Sequence, residues 1–405
     1  MRGMAPRKRN TMPTNQPLSG YTIVEIGHSV AAPYTGLILA NLGATVIKVE
    51  NPGSGDHARG WGPPFFDEAG PHFVAMNRNK RSAAIDLADE TQRQALRRLI
   101  LEEADGVICN LRAGVADQFG VGPASLLEEN PALVYCEIGA FGSGGPMSHK
   151  PGYDPLMQAY GGMMSITGES AERPPIRVGV SIIDMGAGLW GAVGMLSALL
   201  ERERTGLGGL VETSLFETAL AWTTVPVTRA LMKGGPQLPQ GSGAAGIVPY
   251  QAFRTQDGWL VIGAGNDKLF AKLVGALDLP ALAEDERFRT NRGRVQNKDA
   301  LIPALEARAI THTNASLGAL LDAHGVPNAP VQTIEQIVDD PQTQALGMIQ
   351  EGPAGSMPTV GLPLRFDGKR SAYRSAAPRL GAHTGEVLDA PAGDQDKDKD
   401  REDRA

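Results

Sequence analysis

The residue best placed to do chemistry is Asp184, in the string IIDMGAGLWG. It closes an apolar run, RVGVSIID, that reads as a strand, and it precedes a glycine-rich helix start near Gly186. Ligands of open α/β sheets bind outside the carboxyl ends of the strands. A carboxylate at such a point can attack a carbonyl carbon as a nucleophile. The residues alone leave two other roles open. Asp184 can cap the helix that follows it. Alternatively, Gly186, Gly188 and Gly191 form a GxGxxG string with Glu212 about twenty residues further on, the pattern of an NAD-type phosphate loop in an oxidoreductase. That loop normally belongs to the first strand–helix–strand unit, and an ionised aspartate beside a pyrophosphate would repel it.

A second glycine string, Gly241, Gly243 and Gly246, runs into IVPYQAF, which is not helical, so it is not a dinucleotide loop. The run Asn77-Arg78-Asn79-Lys80-Arg81, with Lys48 and Arg59, is either a cradle for phosphate groups or a solvated patch. Ser54, Ser143 and Ser242 each lack a glycine of the G-x-S-x-G elbow, so serine-hydrolase chemistry is not supported. Cys109 and Cys136 lie in apolar runs and read as buried, reduced thiols. The histidines are scattered without metal-ligand spacing, and no metal is expected.

These groups need a frame to position them. YTIVEIG reads as a buried strand, APYTGLILANLG as a helix stopped at Gly43, and ATVIKVE as a second strand. That spacing suits a right-handed parallel βαβ unit. SAAIDL, GVICN, ALVYCEIGAFG and LVETS continue the strands. DETQRQALRRLILEEA reads as a helix with Asp89 at its N-cap, and a further helix spans about Gly186 to Arg204. The alternation predicts an α/β fold with a doubly wound, Rossmann-like parallel sheet. GGPQLPQGSGAAG reads as a mobile loop or connection, and IVPYQAFRTQDGWLVIGAG as a hairpin turning at Asp257-Gly258. Three helical segments follow, to about His324. The predicted organisation is a disordered extension over 1–16, a large α/β domain over 17–224, and a linker with a smaller α+β domain over 225–329. Residues 330–390 return to the large domain, where their strand-like pieces could join the sheet, and 391–405 form a disordered charged tail.

Bulk properties narrow the function. At 405 residues and 42% hydrophobic content, the chain suits two folded units. A net charge of −7 argues against a nucleic-acid partner. The polar, basic start is no signal peptide, and no apolar run reads as long enough to span a bilayer, so a soluble cytoplasmic protein is expected.

Taken together, the strings carry a family resemblance. PLSGYTIVEIG, NLGATVIKVENPGSGDHARGWGPP, NRNKRS, PGYDPLMQAYGGMMSITG, Asp184 in its glycine-rich frame, GIVPYQAFRTQDGWLVIGAGN, GVPNAPV and LGAHTGEVL follow one another in order between Pro17 and Leu388. They resemble the class III CoA-transferases, of the formyl-CoA transferase and carnitine CoA-transferase type. The resemblance implies that coenzyme A and acyl-CoA are substrates, with no tightly bound cofactor, and that Asp184 forms a covalent aspartyl-CoA thioester. It implies a glycine loop, Gly241, Gly243 and Gly246, covering the aspartate. It places CoA contacts at Val30 and Ala31 just after His28, and at Asn110 and Leu111, and an active-site tyrosine at Tyr153. Asn51 and Gln118 stand where relatives carry arginines, so the resemblance shifts phosphate contacts toward Arg78, Lys80 or Arg81. NRNK and IVPYQAF most resemble the succinyl-CoA:dicarboxylate type, for which Arg78 is the candidate partner of the substrate's second carboxylate. The same fold includes α-methylacyl-CoA racemases, which carry a histidine where this chain has Tyr153, a poor base at neutral pH. A non-catalytic CoA-binding protein is a further alternative, opposed by the retention of Asp184 and both glycine strings. The implied assembly is an interlocked homodimer, with no membrane partner.

Overall fold

The computed structural model describes residues 16–388. The charged ends read as disordered, 1–16 and 391–405, lie outside the described residues except for Gln16.

The first element is β1 (Thr22–Ile26), followed by α1 (Ala31–Asn41) and β2 (Thr45–Glu50). Then come α2 (Pro71–Asn77), β3 (Lys80–Ala84), α3 (Glu90–Glu103) and β4 (Gly106–Cys109). The short helices α4 (Val115–Gln118) and α5 (Pro123–Glu129) lead to β5 (Val134–Gly139). Next are α6 (Asp154–Tyr160), α7 (Met163–Ile166), the long α8 (Ile182–Thr205), β6 (Gly209–Ser214), α9 (Leu215–Trp222) and α10 (Thr224–Leu231). The strands β1–β6 form one parallel sheet in the order β3-β2-β1-β4-β5-β6. This is the doubly wound order, and its switch point lies between β1 and β4. Both faces of the sheet are covered, as parallel sheets require. On one face Val24, Val107, Tyr135, Leu96 and Ile100 build the core. On the other lie α1 and α8.

Two features of the sheet run against its apolar pattern. Glu25 and Lys48 face each other in register on β1 and β2, and both are fully buried. Lys48 Nζ bonds Glu25 Oε1 at 2.9 Å and Asp56 Oδ2 at 2.8 Å. Lys80 Nζ bonds Glu25 Oε2 at 2.7 Å, and Asn77 Oδ1 and the Pro33 carbonyl at 2.8 Å each. Two cations thus alternate with two carboxylates across three strands. Burial pushes Lys48 down, but Glu25, Asp56 and Glu50 outweigh it and hold the ammonium above its ordinary range. At Lys80 burial prevails over Glu25 and lowers the ammonium to about 8.

Helix α8 corrects two readings. The run before Asp184 is not a strand; the helix begins at Ile182, and Asp184 sits in its first turn. Gly186, Gly188 and Gly191 lie inside the helix and admit neighbours. A Cβ at Gly188 would come 2.5 Å from the Ala31 carbonyl, and one at Gly191 would come 2.8 Å from Thr35 Oγ1. The string is a packing surface, Gly188 and Gly191 against α1 and Gly186 against Thr218 and Trp222 of α9, which removes the dinucleotide-loop reading. By length and composition α8 is also the one described helix that could cross a membrane, contrary to the sequence expectation. Its buried face, including Ala187, Ala192 and Met195, is instead the large unit's core.

Two compact units divide the described chain. The first comprises 16–161, 179–224 and 342–388; the second comprises 162–178 and 225–341. The second unit therefore takes in 162–178, which the sequence reading left with the large domain, and runs on past 329. It contains the hairpin β7 (Tyr250–Arg254) and β8 (Trp259–Gly263), whose four-residue loop includes Asp257-Gly258. Five helices follow: α11 (Asp267–Ala276), α12 (Ala281–Glu284), α13 (Asn291–Gln296), α14 (Lys298–Ala309) and α15 (Asn314–Ala323). Then β9 (Asn328–Pro330) completes a three-stranded antiparallel sheet, and α16 (Ile334–Asp339) follows. Phe253, Leu260, Phe270, Leu273 and Leu317 form this unit's own core. The chain re-enters the first unit at α17 (Pro341–Leu346), forms the small pair β10 (Ile349–Gln350) and β11 (Thr359–Val360), and reaches α18 (Thr384–Leu388). This segment adds no strand to the parallel sheet. It runs beside the edge strand β3 instead, where His383 exchanges bonds with Ser82 and Thr384 accepts from the Ala84 N–H. An open sheet edge is covered in this way.

Removing one member of a buried ion pair strands the others and costs about 3–5 kcal/mol. Glu25→Ala is therefore expected to lower the thermal transition of the large unit sharply. A calorimetric scan in which it melts with the parent protein would show that the charge chain is not structural.

Candidate functional site

The carboxyl ends of the strands open into a cleft of about 600 Å³. Three turns build it. His28, Ser29, Val30 and Ala31 follow β1; Asn110, Leu111 and Arg112 follow β4; and 139–153 follow β5. The first two flank the switch point, where doubly wound sheets hold their ligands. The Asn110 side chain locks them together. Its Oδ1 accepts from the His28 N–H, and its Nδ2 donates to the His28 carbonyl, both at 3.0 Å. From the other side Asp56 Oδ1 accepts from the Ser29 N–H at 2.9 Å. Ser29 adopts φ 70°, a left-handed conformation that a serine holds only when its surroundings impose it. The buried charge chain thus ends at the cleft.

Asp184 lines the cleft from the first turn of α8. It does not cap its helix. The cap comes from Asp154 at the start of α6, whose Oδ2 accepts from the Ile183 N–H at 2.7 Å and the Asp184 N–H at 3.2 Å. Among the described residues the Asp184 carboxylate makes no hydrogen bond or ion pair. Burial, and then the Asp154 charge, push its pKa up to about 7. Tyr153 precedes Asp154, is 55% exposed and also lines the cleft.

The cleft is electrostatically divided. Arg112, His149 and Lys150 line it, and His28 and His57 meet edge-on with ring centroids 5.1 Å apart. Burial lowers His28, against the pull of Asp56. Glu137 and Glu212, register partners on β5 and β6, line another part with Glu217. Burial, followed by the Glu212 charge, raises Glu137.

Of the residues singled out from sequence, His28, Val30, Ala31, Asn110, Leu111, Tyr153 and Asp184 meet in this one cleft. The three basic residues and the three loop glycines do not line it, and the expected roles of the basic residues need correction. Arg78 is fully buried, bonded to Thr359 and Asn41 and stacked over Tyr373, so it cannot reach a substrate carboxylate. Lys80 is consumed by Glu25, Asn77 and Pro33. Arg81 points outward near Glu386, away from the cleft. The glycine loop belongs to the second unit. Its Gly241 N–H bonds the Gly168 carbonyl, the Gly246 carbonyl accepts from Asn291, and Gly243 bonds back to Gln240. Sequence reasoning passed over Arg112, His149, Lys150 and Asp154, although each adjoins a string that it did single out. Among the described residues no cluster of potential ligands could hold a metal.

Fold and cleft together define an α/β enzyme with a free carboxylate at a switch-point ligand site. Comparison with known proteins makes the class specific. Residues 18–384 match CoA-transferase family III. Succinyl-CoA:glutarate CoA-transferase of Mus musculus is 34% identical over 385 residues, covering 94% of this chain and 88% of that protein. Succinate--glutarate CoA-transferase of Agrobacterium fabrum is also 34% identical, covering 93% of this chain and 96% of that protein. The crystal structure of a CAIB/BAIF family protein from Brucella suis superposes with a TM-score of 0.84 at 38% identity, covering 94% of this chain and all of that one. The chain belongs to CoA-transferase family III and is an enzyme that transfers CoA.

The raised Asp184 has a thermodynamic signature. The folded protein holds this proton more tightly than the unfolded chain, so stability falls as pH rises from about 4 to 7. Asp184→Asn is expected to melt higher than the parent at pH 8, with the gap closing toward pH 4. Equal melting temperatures at both pH values would show that Asp184 titrates normally.

Proposed function

We propose that this enzyme moves CoA from succinyl-CoA to a second, dicarboxylic acid through a covalent aspartyl-CoA thioester on Asp184. The observation that carries this reading is the Asp184 carboxylate. It is partly buried, has no bonding partner among the described residues, and lines the switch-point cleft. A structural aspartate in such a position would be paired.

The step balances without a proton or a metal. An Asp184 oxygen attacks the thioester carbonyl, and the C–S bond breaks to give a mixed anhydride and the CoA thiolate. The thiolate attacks the aspartyl carbonyl and expels the first acid as its carboxylate. The acceptor carboxylate then attacks the aspartyl thioester, again releasing the thiolate. The thiolate finally attacks the acceptor's acyl carbon and frees Asp184. Covalent catalysis of this kind divides one difficult exchange into easier ones.

The turn from His28 to Ala31 and the pair Asn110–Leu111 are suited to hold the pantetheine arm. Arg112 and Lys150 are cations lining the cleft, with the His149 ring beside them as a further donor, and they replace Arg78, Lys80 and Arg81 as partners for the CoA phosphates. The first N–H groups of α8 are already committed to Asp154, so oxyanion donors must come from elsewhere. The working form is proposed to be a cytoplasmic homodimer. Leu189, Trp190 and Val193 on α8, with Leu220 and Trp222 on α9, form an exposed apolar face that a second copy would cover.

Incubation with succinyl-CoA, followed by intact-mass and peptide analysis, should reveal a hydroxylamine-sensitive CoA adduct on the Asp184 peptide. Asp184→Ala should abolish both adduct and transfer. Transfer that survives in Asp184→Ala would sink the mechanism, and α-proton exchange without transfer would point to a racemase. Arg112→Ala is expected to raise KM for the acyl-CoA about tenfold, a loss within the range of one charge-assisted hydrogen bond.

A further inference from the structure

We propose that Asp154 is the positioning residue of the reaction: its carboxylate occupies the N-terminus of α8, so that Asp184 is turned into the cleft and kept a strong nucleophile. This rests on the reading of Asp184 as the group that attacks.

Asp154 is 2% exposed, and its carboxylate is engaged on both oxygens. Oδ2 accepts from the Ile183 and Asp184 N–H groups, and Oδ1 accepts from Gln158 Nε2 at 2.6 Å, one turn along α6. A helix N-terminus attracts negative charge, and an acid in the first turn would ordinarily settle there itself. Ser181 at the N-cap makes no side-chain cap bond, so the position is open to a group from elsewhere. Asp154 takes it. The remaining early N–H groups are also satisfied, Ile182 by the Val180 carbonyl and Met185 by the Ser181 carbonyl. Asp184, in the first turn, finds no donor left to fold back on, and its carboxylate is left to the cleft.

The second effect is electrostatic. A like charge held beside Asp184 disfavours its ionised form, and burial adds to this. A carboxylate that binds its proton more tightly is also the better nucleophile. Other ionisable groups lie on elements packed against α8: Tyr34 on α1, Glu137 on β5, Glu212 on β6 and Glu217 on α9. Glu217 is itself engaged by Ser214 Oγ at 2.7 Å. Among charged neighbours, Asp154 is the one that acts on Asp184.

Two substitutions separate clamp from charge. Asp154→Asn keeps an oxygen for the two N–H groups but removes the charge. The pH profile of single-turnover aspartyl-CoA formation should then shift its acid limb downward by about one pH unit or more, with a lower plateau. Asp154→Ala frees the helix end, and kcat should fall about 100-fold at every pH. A role confined to folding would lower the melting temperature of both variants and leave the acid limb where it was. An unmoved limb in Asp154→Asn overturns the proposal, even if Asp154→Ala fails to fold. Asp184→Asn, run alongside, tells the two readings apart. If it still forms product, the nucleophile assignment fails. If it is inert while the Asp154→Asn limb stays in place, only the positioning role fails.

Discussion

The shared carboxylate of Glu25 is the interaction on which the large unit depends. It lies in the middle of the parallel sheet, without solvent, between Lys48 and Lys80. Neither lysine could stay charged there alone, because desolvation of an isolated ammonium far exceeds what packing returns. With Asp56 the two positive and two negative groups cancel, and each polar atom has a geometric partner. The arrangement fixes more than stability. It ties β1 and β2 at the Glu25–Lys48 register and reaches Lys80 on β3, which pairs Val46 two residues before Lys48, so a slipped strand would leave a bare charge in the core. Gly36 on α1 is part of the same constraint, because a Cβ there would collide with the Glu25 carboxylate. At its far end Asp56 holds Ser29 in its left-handed conformation, so the shape of the cleft turn follows from charges laid down in the sheet.

Much of this frame was legible in the sequence. The β-branched runs and glycine stops located all six strands of the parallel sheet, and Asp89 caps α3 through the Gln92 N–H as its position suggested. The hairpin in the second unit also follows from its turn residues. A seventh expected strand, RVGVSIID, is absent for a physical reason. Its alternating apolar residues suit an extended chain, but the glycines that follow allow α8 to press against α1, and that packing extends the helix back to Ile182. Local propensity yields to tertiary contact in such a case. The same contact explains why a GxGxxG string appeared where no phosphate loop exists.

The basic run misled for a complementary reason. Arg78, Lys80 and Arg81 are adjacent in sequence, yet they meet three different environments: a buried stack on Tyr373, the Glu25 charge chain and the solvent. Strand β3 directs Lys80 and Arg81 to opposite faces, and Arg78 stands before it at the C-cap of α2, so the run is not a single patch. The cations that line the cleft are instead scattered, with Arg112 after β4 and Lys150 after β5. Their convergence follows from strand order, which a linear reading does not reveal.

The geometry at α8 shows how an ordinary helix end becomes part of a reactive site. A helix N-terminus offers several N–H donors and a favourable field for an anion. Two carboxylates compete for it here, and the buried one holds it through two N–H bonds, with its other oxygen tied to Gln158. The losing carboxylate is left partly desolvated, beside a like charge. That is unfavourable for folding and useful for chemistry, because an anion that water does not stabilise has more to gain by forming a bond. The cost is carried by the rest of the large unit, where the sheet, its charge chain and the glycine-mediated contact of α1 with α8 leave the helix end no freedom to relax.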